Sequence, residues 1–138
     1  MTVVVGYVPT REGRAALAAG LAEAARRRAR VVVVDNRRAD PDDADPVGTS
    51  TQALEELRPE VEAALGVAAD APAYALRALT PGAEPSADLL RVAMDEEADL
   101  VVIGLRRRTP VGKLVLGSGA QRILFDAPCP VLAVKPVG

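Results

Sequence analysis

Five short runs of apolar residues, rich in valine, recur along the chain with little polar alternation within them. A strand with one face in water alternates apolar and polar residues, so these runs predict strands that are buried on both faces. The predicted strands are Thr2–Val8, Val31–Asp35, Ala73–Leu79, Asp99–Gly104 and Val131–Lys135. A sheet built from them needs a covering layer on each side.

Between these runs lie four segments in which apolar residues recur at helical spacing. The predicted helices are Arg11–Ala29, Thr51–Leu65, Ser86–Glu97 and a last helix from Ser118 to about Asp126. Pro59 lies inside the second helix and predicts a kink there. Ser86 is the expected N-cap of the third helix. Ser118 and Gln121 have the spacing of a capping box at the start of the fourth.

Two stretches lack this periodicity and are predicted as loops. Asn36–Ser50 is polar and contains Pro41, Pro46 and Gly48, which predicts a long loop that is disordered over most of its length. Arg106–Leu116 has mixed character and connects the fourth strand to the last helix.

The order of strands and helices predicts the fold class. Buried strands that alternate with helices are typical of an α/β protein, in which a parallel sheet carries helices on both faces. We therefore expect one doubly wound domain over residues 1–138, with right-handed crossovers. The pattern alone does not determine the order of the strands in the sheet.

Composition and charge narrow the possible partners. The net charge is −2 and the chain has two tyrosines, one phenylalanine and no tryptophan, so neither a basic field nor an aromatic stacking platform favours nucleic acid. No run approaches the roughly 20 apolar residues of a membrane span, and the first ten residues lack the basic head of a signal peptide. The chain has a single cysteine. We expect a cytoplasmic protein that binds neither membrane nor nucleic acid.

The chain has no histidine, which excludes Ser-His-Asp and Cys-His catalysis and histidine-ligated zinc. Cys129 lies between two prolines and is expected to be a packed residue rather than a nucleophile. The acidic clusters at residues 40–45 and 95–97 offer no clear metal geometry. The chain is therefore predicted not to be an enzyme and to bind no metal.

The segment from Gly104 to Ser118 is the best candidate for binding an anion. It leaves a strand and enters a helix, and ligands of such folds bind outside the carboxyl ends of the strands. Gly104 would allow close approach of a ligand, and the helix that begins at Ser118 has free N–H groups for a phosphate. An alternative also stands, in which Gly104 only ends a strand and Ser118 only caps a helix.

The arginines that follow Gly104 have two possible roles. Arg106, Arg107 and Arg108 could reach a pocket and grip a phosphate, or they could be solvated loop charges. Gly112 and Lys113 do not complete a P-loop, because Leu114 follows them, and no dinucleotide fingerprint follows any strand.

The chain resembles the universal stress protein family over nearly its whole length, most strongly from Ala98 to Lys135. The likeness is carried by Ala98-Asp-Leu-Val-Val-Ile-Gly104, by Leu116-Gly-Ser118 and by Asp126-Ala-Pro-Cys-Pro-Val-Leu-Ala-Val134. The resemblance implies a five-stranded parallel sheet of order 3-2-1-4-5. It also implies a homodimer that pairs through the last strand, at Val131, Leu132, Ala133 and Val134.

The resemblance further implies a site for ATP or AMP. Its residues would be Pro9, Thr10, Val34, Gly104, Arg106, Arg107, Gly117 and Ser118. Val34 would meet the adenine through its backbone. Two positions depart from the family pattern: Val8 replaces an aspartate, and Arg107 replaces the middle glycine of the phosphate loop.

Three hypotheses follow. The first is a nucleotide-binding stress-response protein without catalytic activity. The second is a dimeric regulatory module that has lost nucleotide binding, as the departures at Val8 and Arg107 would allow. The third, an ATP-dependent enzyme of the wider α/β class, lacks the Ser-Gly-Gly loop or paired histidines that it requires after the first strand.

Overall fold

A computed structural model describes residues 1–66, 73–106 and 116–136. Within these ranges the chain forms five strands and five helices, with one helix between successive strands except between β2 and β3, where there are two. The strands are β1 (Thr2–Tyr7), β2 (Arg30–Asp35), β3 (Tyr74–Arg77), β4 (Leu100–Gly104) and β5 (Val131–Val134). The helices are α1 (Arg11–Arg27), α2 (Pro46–Glu55), α3 (Arg58–Leu65), α4 (Pro85–Asp95) and α5 (Ser118–Asp126).

The strands form one parallel sheet in the order β3-β2-β1-β4-β5. Central strand β1 pairs with β2 on one side, where Val3 is opposite Val31, and with β4 on the other, where Val3 is opposite Leu100. This confirms the α/β class and the strand order that the family resemblance implied.

The core lies on both faces of the sheet, which explains the lack of alternation in the strands. Val3 and Val5 of β1 pack with α1, α2 and α3 on one face. Val4 packs on the opposite face with α4 and α5. All three valines are fully buried, and so successive residues of a strand are equally apolar.

The prediction of a single kinked helix at Thr51–Leu65 is wrong. Helix α2 ends at Glu55, and α3 starts at Arg58 with Pro59 in its first turn. Proline is tolerated in the first turn, where its missing N–H would have had no helical partner. It therefore starts a helix here and does not bend one.

The loop predicted at Asn36–Ser50 is too long, because α2 begins at Pro46. The Asp45 side chain accepts a hydrogen bond from the Gly48 N–H at 3.1 Å and caps this helix. Proline after a capping aspartate is a helix start signal, which the many polar residues around it obscured.

Both predicted serine caps are also wrong. Glu84 caps α4 and accepts from the Ala87 N–H at 3.0 Å, while the Ser86 hydroxyl donates to the Glu84 carboxylate. Gly117 holds the N-cap position of α5, and Ser118 is the first helical residue. The Gln121 side chain donates instead to the Leu116 carbonyl at 3.0 Å.

Candidate functional site

A cleft of about 580 Å³ opens at the carboxyl ends of β1, β2 and β4. The amino-terminal ends of α4 and α5 form its other wall. This is the edge where ligands of open α/β sheets bind. Six residues predicted from the sequence line the cleft: Pro9, Thr10, Gly104, Arg106, Gly117 and Ser118. Arg107, another of the eight predicted residues, lies outside the described residues, as does Arg108.

The turn between β1 and α1 forms the floor at the centre of the cleft. The Thr10 hydroxyl accepts from the Gly13 N–H at 3.2 Å and caps α1, and the Thr10 N–H donates to the Val8 carbonyl at 2.8 Å. The Thr10 oxygen is thus engaged in holding the turn. Val8 and Pro9 present apolar side chains to the cleft.

The first turn of α5 lines the cleft with Gly117, Ser118, Gly119 and Ala120. No side chain among the residues that the structure describes caps this helix, whereas Thr10, Asp45 and Glu84 cap α1, α2 and α4. Its N–H groups and the positive end of its dipole are therefore available to an anion.

Gly104 lines the cleft, but its missing side chain serves the packing of α1. A methyl group at this position would lie 2.6 Å from the backbone carbonyl carbon of Glu12 and closer still to its oxygen. The end of β4 thus passes against the first turn of α1 at a distance that only glycine permits. Close approach is required, as the sequence suggested, but the partner is the protein backbone.

The carboxyl end of β2 contributes residues that the sequence analysis did not select. Val34 is fully buried and does not line the cleft, whereas Asn36, Arg37 and Arg38 do. They directly follow a buried strand, and the rule that ligands bind outside strand ends could have identified them.

A buried polar network holds this end of β2. The Asp35 carboxylate accepts from the Ser50 hydroxyl at 2.6 Å and from Arg37 Nε at 3.1 Å. The Ser50 oxygen in turn accepts from the Leu79 N–H at 2.9 Å. Asp35 and Ser50 are buried, so the network fixes the base of the cleft wall that carries Arg37.

Charges of both signs surround the opening. Arg106 Nε lies 3.7 Å from the Glu12 carboxylate, and Arg122 Nη1 lies 3.3 Å from that of Glu84. The hydrogen bond from Ser86, together with the Ala87 N–H, lowers the pKa of Glu84 below its ordinary value. Glu84 is therefore a carboxylate at neutral pH, and its charge opposes an anion placed near α4.

The described parts of the chain contain no cluster of side chains that could bind a metal ion. No three carboxylate or cysteine side chains come together there in a way that could hold an ion. Burial raises the pKa of the Cys129 thiol, which disfavours the reactive thiolate. Among the described residues, no helix is long and apolar enough to cross a membrane.

Comparison with known proteins places this fold in a family. The sequence profile described as "Universal stress protein family" matches residues 1–135. A universal stress protein of Mycolicibacterium smegmatis is 37% identical, and the alignment covers 99% of this chain and 98% of the relative.

Two solved structures share the fold, each at 24% identity. One is a universal stress protein in complex with cAMP, with a TM-score of 0.72 and coverage of 99% of this chain and 98% of the other. The second is the universal stress protein of Archaeoglobus fulgidus in complex with dAMP, with a TM-score of 0.63 and coverage of 97% and 96%. On the sequence match and the shared fold together, this chain belongs to the universal stress protein family.

Proposed function

We propose that this protein binds an adenine nucleotide in the cleft at the carboxyl ends of β1, β2 and β4. The observation that carries the proposal is the uncapped start of α5, whose Gly117–Ala120 turn lines the cleft. Two structures of the same fold hold cAMP and dAMP, both adenine nucleotides with one phosphate. The volume of about 580 Å³ lies within the range of ordinary small-molecule sites.

The phosphate would bind at the first turn of α5. The N–H groups of Ser118 and Gly119 would donate to its oxygens, the Ser118 hydroxyl would add a further donor, and the helix dipole would favour its charge. Arg106 lies on the same rim and adds a mobile cation, because it is exposed and only loosely paired with Glu12 at 3.7 Å. A ligand with one phosphate, such as AMP, matches the anion site that the described residues form at this turn.

The proposal assigns binding and no reaction. Glu12 and Glu84, the two carboxylates that line the cleft, face Arg106 and Arg122 in ion pairs. A general base works best with a pKa near the working pH, and the pKa of Glu84 is shifted in the opposite direction. Absence of catalytic activity stays a prediction, as does a cytoplasmic location.

Two substitutions at one position test the site by calorimetry with AMP, cAMP and ATP. Ser118→Ala removes the hydroxyl, and Ser118→Pro also removes the N–H group. Proline is favoured at this first helical position, and Gly117 before it has φ −67° and ψ 165°, which suits a residue that precedes proline.

We expect Ser118→Ala to weaken AMP binding several-fold and Ser118→Pro to weaken it further, with the melting temperature unchanged. Wild-type protein that binds none of these nucleotides at millimolar concentration would refute the proposal. So would equal dissociation constants for all three proteins.

We further propose that β5 pairs with the β5 strand of a second copy. Strand β5 lies at the edge of the sheet, and Pro130 O and Val134 O accept hydrogen bonds from β4. Because successive residues of a strand point their polar groups to opposite sides, those of Val131 and Ala133 point away from the sheet. Such an edge is a template for another strand. Phe125 of α5, the helix that precedes β5 in the chain, is 82% exposed and leaves a large apolar side chain uncovered.

Light scattering after size exclusion tests this dimer. Ala133→Pro removes an outward N–H and should yield monomers, and Phe125→Ser should weaken the dimer without loss of the fold. A wild-type protein that is monomeric at micromolar concentration would refute the proposal. A dimer that both variants preserve would show that it forms elsewhere.

A further inference from the structure

The side chain of Asn36 is an unexplained feature of the cleft. Its Oδ1 is buried and accepts no hydrogen bond from any residue that the structure describes. The residue lines the cleft as the first one after β2, and its backbone N–H donates to the Tyr7 carbonyl at 2.7 Å. A rigid backbone thus holds an amide side chain whose acceptor is unused.

Such an acceptor destabilises the fold unless something else binds it. Buried polar atoms of native proteins nearly always have a partner, and exceptions are concentrated where a ligand or an ordered water completes the bonding. Asparagine contributes nothing to apolar packing that leucine, with the same number and branching of side-chain heavy atoms, would not supply. A role in ligand binding therefore explains its presence better than a role in the fold does.

Gly6 of β1 lies beside this amide. A methyl group at Gly6 would lie 3.4 Å from Asn36 Nδ2 and 2.9 Å from Leu89 Cδ2. The amide therefore lies against the backbone of β1 at the base of the cleft. Rotation about χ2 of asparagine is soft, so the oxygen and nitrogen can turn toward a bound molecule without movement of the backbone.

We infer that Asn36 reads the base of the bound nucleotide and selects adenine over bases that carry a 6-oxo group. This inference rests on the proposed function. An asparagine amide offers one acceptor and one donor side by side, and adenine presents the complementary pair, an N6 amino donor and an N7 acceptor. Hypoxanthine and guanine present two acceptors, O6 and N7, and would leave Oδ1 unpaired.

The fold places Asn36 on the opposite side of β1 from the proposed phosphate site. Strands β2 and β4 flank β1, so their ends are two strand spacings apart, about 10 Å. Asn36 follows β2, whereas the α5 turn that would hold the phosphate follows β4 in the chain. A nucleotide that lies across the end of β1 would reach both.

Arg37 is the other side chain in the cleft that could recognise the base. Its guanidinium also lines the cleft and is anchored through Nε to Asp35 at 3.1 Å. Arginine pairs with O6 and N7 of guanine. If Arg37 rather than Asn36 reads the base, the protein prefers 6-oxo purines, and the two assignments predict opposite selectivities.

The test compares AMP, IMP and purine riboside 5′-monophosphate, which lacks the 6-substituent, by isothermal titration calorimetry. We expect wild-type protein to bind AMP at least 10-fold more tightly than IMP, with the riboside between them. In Asn36→Leu we expect the AMP/IMP ratio to fall towards one. Ser118→Ala is the matched control, because it should weaken AMP and IMP equally and preserve the ratio.

Melting temperatures of the unliganded proteins separate recognition from a structural role. Since Oδ1 has no partner in the described structure, Asn36→Leu should melt at the same temperature as wild type or higher. A fall in melting temperature together with an unchanged AMP/IMP ratio would overturn the inference. Equal wild-type affinities for AMP and IMP, or a preference for IMP, would overturn it while leaving nucleotide binding intact, whereas no binding of any of the three would refute both proposals.

Discussion

Ser50→Ala tests the buried network that supports the β2 side of the cleft. The Ser50 hydroxyl is fully buried and makes two bonds there, as a donor to the Asp35 carboxylate at 2.6 Å and as an acceptor from the Leu79 N–H at 2.9 Å. Removal of the oxygen therefore takes a donor from a buried charge and leaves a buried backbone N–H without its partner.

The loss of these two hydrogen bonds determines the expected change in the free energy of unfolding. A hydrogen bond to a charged group contributes about 1.5–3 kcal/mol, and an orphaned buried donor costs about 1–3 kcal/mol. Because Ser50 lies inside α2, the higher helix propensity of alanine stabilises the folded state by roughly 0.5 kcal/mol and offsets part of this loss. The net expectation is a loss of about 3 kcal/mol in the free energy of unfolding. For a chain of 138 residues this lowers the melting temperature by about 10 °C.

Urea unfolding followed by circular dichroism measures this loss, with Thr49→Ala as the matched control. Thr49 is the preceding residue of the same helix, and its hydroxyl bonds to the Asp45 carbonyl at 3.1 Å in an exposed setting. Its removal should change the free energy by no more than about 0.5 kcal/mol. If the two variants unfold at the same urea concentration with the same slope, the network does not stabilise the fold and the reasoning is wrong.

Substitutions at three further positions test other parts of the structure. Gly104→Ala should destabilise by about 3 kcal/mol in urea unfolding, because its methyl group overlaps the Glu12 backbone; a loss below about 1 kcal/mol would show that α1 is not packed as described. The hydrogen bonds from Arg77 and Arg30 lower the pKa of Glu96 below its ordinary value of 4.5, so its stabilisation is present above pH 4.5 and is lost as the pH falls below it. The free energy of unfolding of wild type should accordingly exceed that of Glu96→Gln by about 1 kcal/mol at pH 7, and the difference should shrink as the pH is lowered below 4.5. A difference that does not change with pH would contradict this. Arg28 ends α1 with a left-handed φ of 53°, so Arg28→Gly should stabilise by about 0.5–1 kcal/mol, whereas Arg28→Ala should not.

The α/β fold could be predicted from local patterns, because a strand that is buried on both faces of a sheet has apolar residues at successive positions. The valine runs that became β1 and β2 are apolar at successive positions, as only a covered parallel sheet requires. Helix starts were harder to predict, because Asp45 and Glu84 cap their helices among many polar residues that could also cap. Which of them does so depends on the direction in which the chain arrives from the sheet.

The cleft was only partly predictable. The Gly117-Ser118 start of α5 was visible, since glycine and serine before an apolar helix are a local signal. Asn36 and Arg37 carry only the weaker signal of their place after a buried strand, because asparagine and arginine in that position are equally common in solvated loops. They became candidates only when the ends of β1, β2 and β4 were seen to meet at one cleft.

By itself the sequence determined the α/β class, the positions of the five strands and the absence of histidine chemistry, because each depends on residue type and on spacing along the chain. Tertiary structure decided what was brought together across long separations. It placed Gly104 against the backbone of Glu12, linked Asp35 to Ser50, and left the Asn36 oxygen buried without a partner in the described structure. Those contacts join residues far apart in sequence, and their distances follow from the packing of helices on a twisted sheet, which no local pattern specifies.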